Sequence, residues 1–160
     1  MSENTVRAAL EGFLSINGFT TESYDAPTVA IPLGAFTVHL PNTAGRKRAV
    51  RWHDLHHVAT GYGTDLRGEA EIGAWELRAG CTTLAAWVLN GMAATLGLLI
   101  APVRTVRAFL AARGMTTLYR LGLDYDEALA MPVAELRARM GVGPDGVATA
   151  PARLHAAAHA

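Results

Sequence analysis

The chain of 160 residues has one cysteine, Cys81, and this excludes an internal disulfide framework. It has no excess of either charge, with 14 basic and 14 acidic side chains. A nucleic-acid surface needs clustered basic residues, and none stand out, so a nucleic-acid partner is not expected. There is no glycine-rich phosphate loop after a strand, no G-x-S-x-G nucleophile turn and no internal repeat. Cys81 has no local pattern of a catalytic thiol. The first residues are polar and acidic, unlike a secretory signal or an Arg-rich transit peptide, and a reducing cytoplasm is expected. The length suits one domain with a real core.

What the chain does have is concentrated in residues 51–69, which hold half of its six histidines and the carboxylates Asp54, Asp65 and Glu69. His53 and His57 are four apart, so on a helix they share a face. Asp54 falls within the same arc of roughly 100°. Gly61 and Gly63 break that helix, and Thr64 or Asp65 can cap a second one from about 66 to 78. A short antiparallel turn would bring Glu69, one turn into the second helix, back to the histidines. His53, Asp54, His57 and Glu69 then form a nitrogen and oxygen donor set suited to zinc, iron or manganese. Without cysteine in the set, an open site that also holds water is expected rather than a closed structural one. His56 sits at the edge of this face, as a solvent-facing or supporting residue.

The string HDLHH over 53–57, eleven further residues and Glu69 resembles the HDxxH-x11-E motif of the ubiquinone (coenzyme Q) biosynthesis protein 4 family. The stretch HHVATGYGTDLRGEAEIGAWEL and the later PVAELRARMGV are similar to the same family, so the likeness covers roughly residues 46–142. The resemblance implies a small helical protein with a divalent metal, zinc by the family's usage and iron or manganese by the donor types. His53, Asp54, His57 and Glu69 would be its ligands and catalytic residues. It implies a metal-dependent, oxidative decarboxylase removing the ring C1 carboxyl of a prenylated or polyketide-like aromatic acid. It also implies an alternative, a non-catalytic lipid-binding scaffold for quinone-biosynthesis proteins. A homodimer and a bacterial member peripheral to the inner membrane are further expectations. A peptidase is a third reading, from the histidine spacing shared with HExxH proteins, although Asp54 reaches less far than the glutamate.

The fold class expected is mainly α, a single-domain helical bundle over 1–142 with a small N-terminal β-hairpin at about 28–40. The helices of the metal motif would lie at about 50–79, with a flexible tail over 143–160. Val6, Leu10, Phe13 and Leu14 predict a first helix over 4–17. Residues 19–43 are β-rich where the family is more often helical, and His39 falls in the second strand as a partly buried residue. Residues 42–48 read as a basic linker, a solvated loop and the start of a helix. No charged residue lies between Arg78 and Arg104. That run is read as the buried central helix of a bundle, because its Gly, Ala and Asn90 argue against a membrane span. Residues 103–113 read as a basic amphipathic helix able to rest on a membrane or hold an anionic group. Short helices are expected over 115–121, 124–130 and after Pro132. His155 and His159, four apart in the Ala-rich tail, are not expected to form a site.

Overall fold

A computed structural model describes residues 5–18, 20–33 and 36–148 of the chain. It is mainly helical. Helix α1 (Val6–Ile16) starts where the Thr5 hydroxyl accepts from the Ala8 N–H, and it buries Val6, Leu10, Phe13 and Leu14. Strands β1 (Thr28–Leu33) and β2 (Phe36–Pro41) pair antiparallel, with Ala30 opposite His39 and Leu33 opposite Phe36. Residues 34 and 35 between them, and the side chain of His39, lie outside what is described.

The rest of the fold is built on helices α2 (Ala44–Thr60) and α3 (Leu66–Ala79). Thr43 caps α2, and Gly61, in the left-handed region at φ 81°, ends it by donating to the His57 carbonyl. Asp65 caps α3 through the Gly68 N–H, at 2.9 Å. Helix α4 (Leu84–Ile100) and helix α5 (Pro102–Ala111) pack on α3. Two glycines allow the approach. A Cβ on Gly73 would lie 3.1 Å from the Asn90 carbonyl oxygen, and one on Gly97 would lie 2.5 Å from both the Ala70 Cβ and the Thr105 hydroxyl. Short helices α6 (Leu118–Leu121), α7 (Tyr125–Ala130) and α8 (Val133–Met140) close the other side. The core joins Leu10, Leu55, Trp75, Leu118, Leu136 and Met140.

The structure corrects three expectations. The uncharged run is not the buried central helix: that place belongs to α3, while α4 buries only Ala86, Asn90, Ala94 and Gly97. These four fall within an arc of about 80°, and the large residues of α4 point away from it. Low polarity marked the run correctly, but its bulky residues are not the ones that meet α3. Next, helix is found only from Leu118 in the segment 115–121. Lastly, residues 143–148 of the expected tail are tied down. The N–H groups of Val147 and Ala148 donate to the Thr60 carbonyl at 2.8 and 3.0 Å, and Arg137 donates to Ala59 O. Those bonds serve carbonyls at the end of α2 that have no partner within the helix. His155 and His159 lie outside the described residues. Among the described residues, no helix is long and apolar enough to cross a membrane.

Candidate metal centre

Helices α2 and α3 bring three of the four expected ligands together. The donor atoms of His53, His57 and Glu69 lie within 4.8 Å of one another. His53 Nε2 is 3.2 Å from His57 Nε2, and each of these nitrogens is 3.3 Å from a Glu69 oxygen. Bonds of about 2.1 Å to one shared cation would put two donors about 3.0 Å apart at a right angle and about 3.4 Å apart at a tetrahedral one. The observed spacing falls between these values.

The outer hydrogen bonds decide where the ring protons sit. His57 Nδ1 is 3.0 Å from the Tyr62 carbonyl, which can only accept, so that nitrogen carries the hydrogen. His53 Nδ1 is 2.7 Å from Glu76 Oε1, and donates to that carboxylate. Both Nε2 atoms therefore point towards each other and towards Glu69, and each can offer a lone pair there once it carries no proton. Three acceptors converging in this way repel unless a proton or a cation lies among them. This is the arrangement by which carboxylate and carbonyl partners fix metal-binding imidazoles.

Asp54, the fourth expected ligand, is not part of this convergence. Its carboxylate accepts a hydrogen bond from the Tyr24 hydroxyl. Burial raises its pKa, opposed by that hydrogen bond and by the nearby His53 and His57.

Glu76 is the residue the motif did not reveal. It is fully buried on α3, seven residues after Glu69 and hence on the same face. Its Oε1 accepts from His53 and from His56, each at 2.7 Å. Its Oε2 accepts from Asn90 and from the Tyr119 hydroxyl, the latter at 3.1 Å. His56 Nε2 accepts from the Leu118 N–H at 2.9 Å, which leaves its own hydrogen on Nδ1 for Glu76. His56 is thus not solvent-facing: it is fully buried and ties α2, α3 and α6 together. The signal for Glu76 was a lone charge among Ala74, Trp75 and Leu77, two helical turns beyond Glu69.

The electrostatics follow from this geometry. Burial pulls the His53 imidazolium down, but the Glu76 charge and hydrogen bonds to Glu69 and Glu76 outweigh it, so its pKa is raised well above the usual value. Burial pushes Glu69 up, yet hydrogen bonds and charge from His53 and His57 bring it down to about 2. Glu76 is likewise held well below the carboxylate range by His53 and His56, against its burial. Without metal the cluster is a proton trap, so metal binding must displace a proton. Two carboxylates and a dication would leave it neutral.

Glu69 is the most exposed of the three, and it shares a cavity of about 230 Å³ with His53, Asn90 and Tyr119. Ala86, Leu89 and Ala93 of α4 supply an apolar wall. An open coordination position would face this cavity. Elsewhere, Arg104 is not free to hold an anionic ligand, because Nε and Nη2 grip Glu71 at 2.9 and 2.6 Å. Burial raises the Cys81 thiol pKa, which does not suit a nucleophile. Comparison with protein-family models, with curated proteins and with solved structures finds no match to this chain.

Proposed function

We propose that the chain is a metal-dependent enzyme that removes the ring C1 carboxyl of a prenylated or polyketide-like aromatic acid, as the resemblance of its motif implies. One observation carries the metal part of this reading: two imidazole Nε2 atoms and a carboxylate converge while each imidazole's Nδ1 meets an acceptor outside the cluster. His53, His57 and Glu69 would hold the ion, zinc by resemblance, with iron or manganese also compatible with these donors. When bound, it would supply Lewis acidity for a substrate carboxylate or phenolate oxygen. The cavity would exclude water around the ring, and Tyr119 and Asn90 would present the polar groups of its wall. In simple decarboxylation the C1–carboxyl bond breaks, carbon dioxide leaves, and the electron pair left at C1 takes up a proton. Replacing the carboxyl by hydroxyl consumes dioxygen, two electrons from an external donor and two protons, one oxygen atom joining the ring and the other leaving as water.

A second reading is a non-catalytic lipid-binding scaffold, favoured by the apolar wall of the cavity and the uncovered faces of α4 and α5. The test begins with elemental analysis of the protein beside His57→Ala. Near-stoichiometric metal in the wild type, lost in a folded variant, supports the site, and absence of metal after reloading removes it. Metal-loaded protein is then incubated in air with a prenylated hydroxybenzoic acid and an electron donor. Release of carbon dioxide supports the enzyme. Binding without release leaves the scaffold.

A further inference from the structure

The hydrogens on the wall of the cavity beside His53 and Glu69 are all spent within the protein. Ala49, Val50, Ala86, Leu89 and Ala93 carry no polar side-chain atom. Their backbone N–H groups are bonded along α2 and α4 or, at Ala86, to the Thr83 cap. His53 gives its Nδ1–H to Glu76. Tyr119 has one hydroxyl hydrogen and two acceptors in reach, Glu76 Oε2 at 3.1 Å and the Ala49 carbonyl at 3.2 Å. Asn90, which is 4% exposed, gives its amide hydrogens to Glu76 Oε2 and Cys81 Sγ. A carboxylate only accepts, so the Asn90 atom facing Glu76 is Nδ2, and the amide has one orientation. Asn90 Oδ1 then takes no hydrogen bond from the described residues, yet it is not sealed inside the protein, so it opens on the cavity that Asn90 lines. Among the described residues the wall thus offers carbon and oxygen acceptors, and no free side-chain donor. A ligand satisfies Oδ1 only with a hydrogen of its own. A ring hydroxyl supplies one, whereas an ether oxygen would set a lone pair against it, and a bare ring would leave it unpaired.

We propose that Asn90 is a specificity-determining residue, whose Oδ1 accepts from a free hydroxyl on the ring of an aromatic acid bound beside His53 and Glu69. Glu76 and Cys81 are positioning residues, because they hold the amide with its oxygen towards the ring. The inference rests on the reading of this cavity as the place where the acid binds, but not on whether the acid is then decarboxylated.

The test is calorimetric binding of two ligands to the zinc-loaded full chain: a prenylated para-hydroxybenzoic acid and the same acid lacking only the hydroxyl. A para hydroxyl is too far from the carboxyl to reach the same ion, so a preference for it reports the wall. We expect the acid without the hydroxyl to bind roughly tenfold more weakly, and the methyl ether no better than that. In Asn90→Ala the two affinities should come within about twofold of each other, since their ratio cancels any general loss of binding. Asn90→Leu, closer to asparagine in size, should do the same without leaving a void. Metal content and circular dichroism check both variants. Equal binding of the two acids by the wild type would overturn the proposal. A tenfold preference that persisted in a folded, metal-loaded variant would overturn Asn90 as its source. If neither acid bound, the inference would fall together with the reading of the cavity. A hydroxyl preference without release of carbon dioxide would uphold the role of Asn90 and remove only the decarboxylase.

Discussion

Helices α3 and α4 lie against each other and invert the usual rule in opposite ways. Helix α3 carries Glu71 and Glu76 into the interior, whereas α4 turns Leu84, Met92 and Leu99 to the outside. In α3 the buried charges are held: Arg104 grips Glu71 through two nitrogens, and Glu76 accepts from His53, His56, Asn90 and Tyr119. In α4 the large apolar side chains Leu84, Met92 and Leu99 are left mostly exposed by the described chain. A satisfied buried carboxylate therefore points inward to chemistry, and an unsatisfied apolar face points outward to a partner. The two faces of the molecule can be tested separately, because substitutions in one should not move the other.

The largest effect is expected at Glu76. Glu76→Ala would leave the Nδ1–H groups of His53 and His56 without an acceptor in a dry site, and would strip Asn90 and Tyr119 of theirs. Breaking a buried charged network by removing one partner costs about 3–5 kcal/mol. Leu99→Ala, on the exposed end of α4, should change stability by less than about 0.5 kcal/mol. Urea denaturation of both variants checks the contrast. Equal losses would mean that the α4 face is covered by the protein itself.

Acid should expose the same asymmetry. Glu69 is lowered to about 2 and Glu76 falls well below its usual value, so both contribute stability above the unfolded carboxylate pKa near 4.5. That stability should be lost as pH falls from about 5 towards 2, because the unfolded chain binds protons more readily there. Thermal unfolding of the metal-free protein across this range checks it. In Glu76→Gln the acid-dependent loss should shrink, and in Leu99→Ala it should match the wild type.

How much of this was legible depends on what kind of rule each feature obeys. His53, His57 and Glu69 could be paired from sequence because a four-residue step and a Gly-rich break have fixed geometric meaning. The cap of α3, placed at Thr64 or Asp65 and found at Asp65, follows local hydrogen bonding and was readable for that reason. Asp54 obeyed the same arc but was drawn to Tyr24, a partner thirty residues away that no local rule supplies. Glu76 and Tyr119 are likewise forty-three residues apart, and their hydrogen bond exists only in the packed fold. The misplacement of α4 has another cause. Apolar composition says how strongly a helix avoids water, but not whether this chain or another body covers it.

The smallest effects give the sharpest contrast, since one kind of substitution on one helix should change sign. Gly91 has nothing within 4 Å of where a Cβ would stand. Gly91→Ala should stabilise the protein by about 0.5–1 kcal/mol, the backbone freedom that glycine loses in a helix. Gly97 faces α3 and α5, and its Cβ would sit 2.5 Å from the Ala70 Cβ and from the Thr105 hydroxyl. The same propensity gain applies there, but one helix must move off the other, at about 1–3 kcal/mol. Gly97→Ala should therefore be neutral to destabilising by about 2 kcal/mol, as read from denaturant midpoints. If both glycines tolerated alanine equally, α4 would not be seated on α3 through its small-residue stripe, and the assignment of its apolar side to the outside would fall with it.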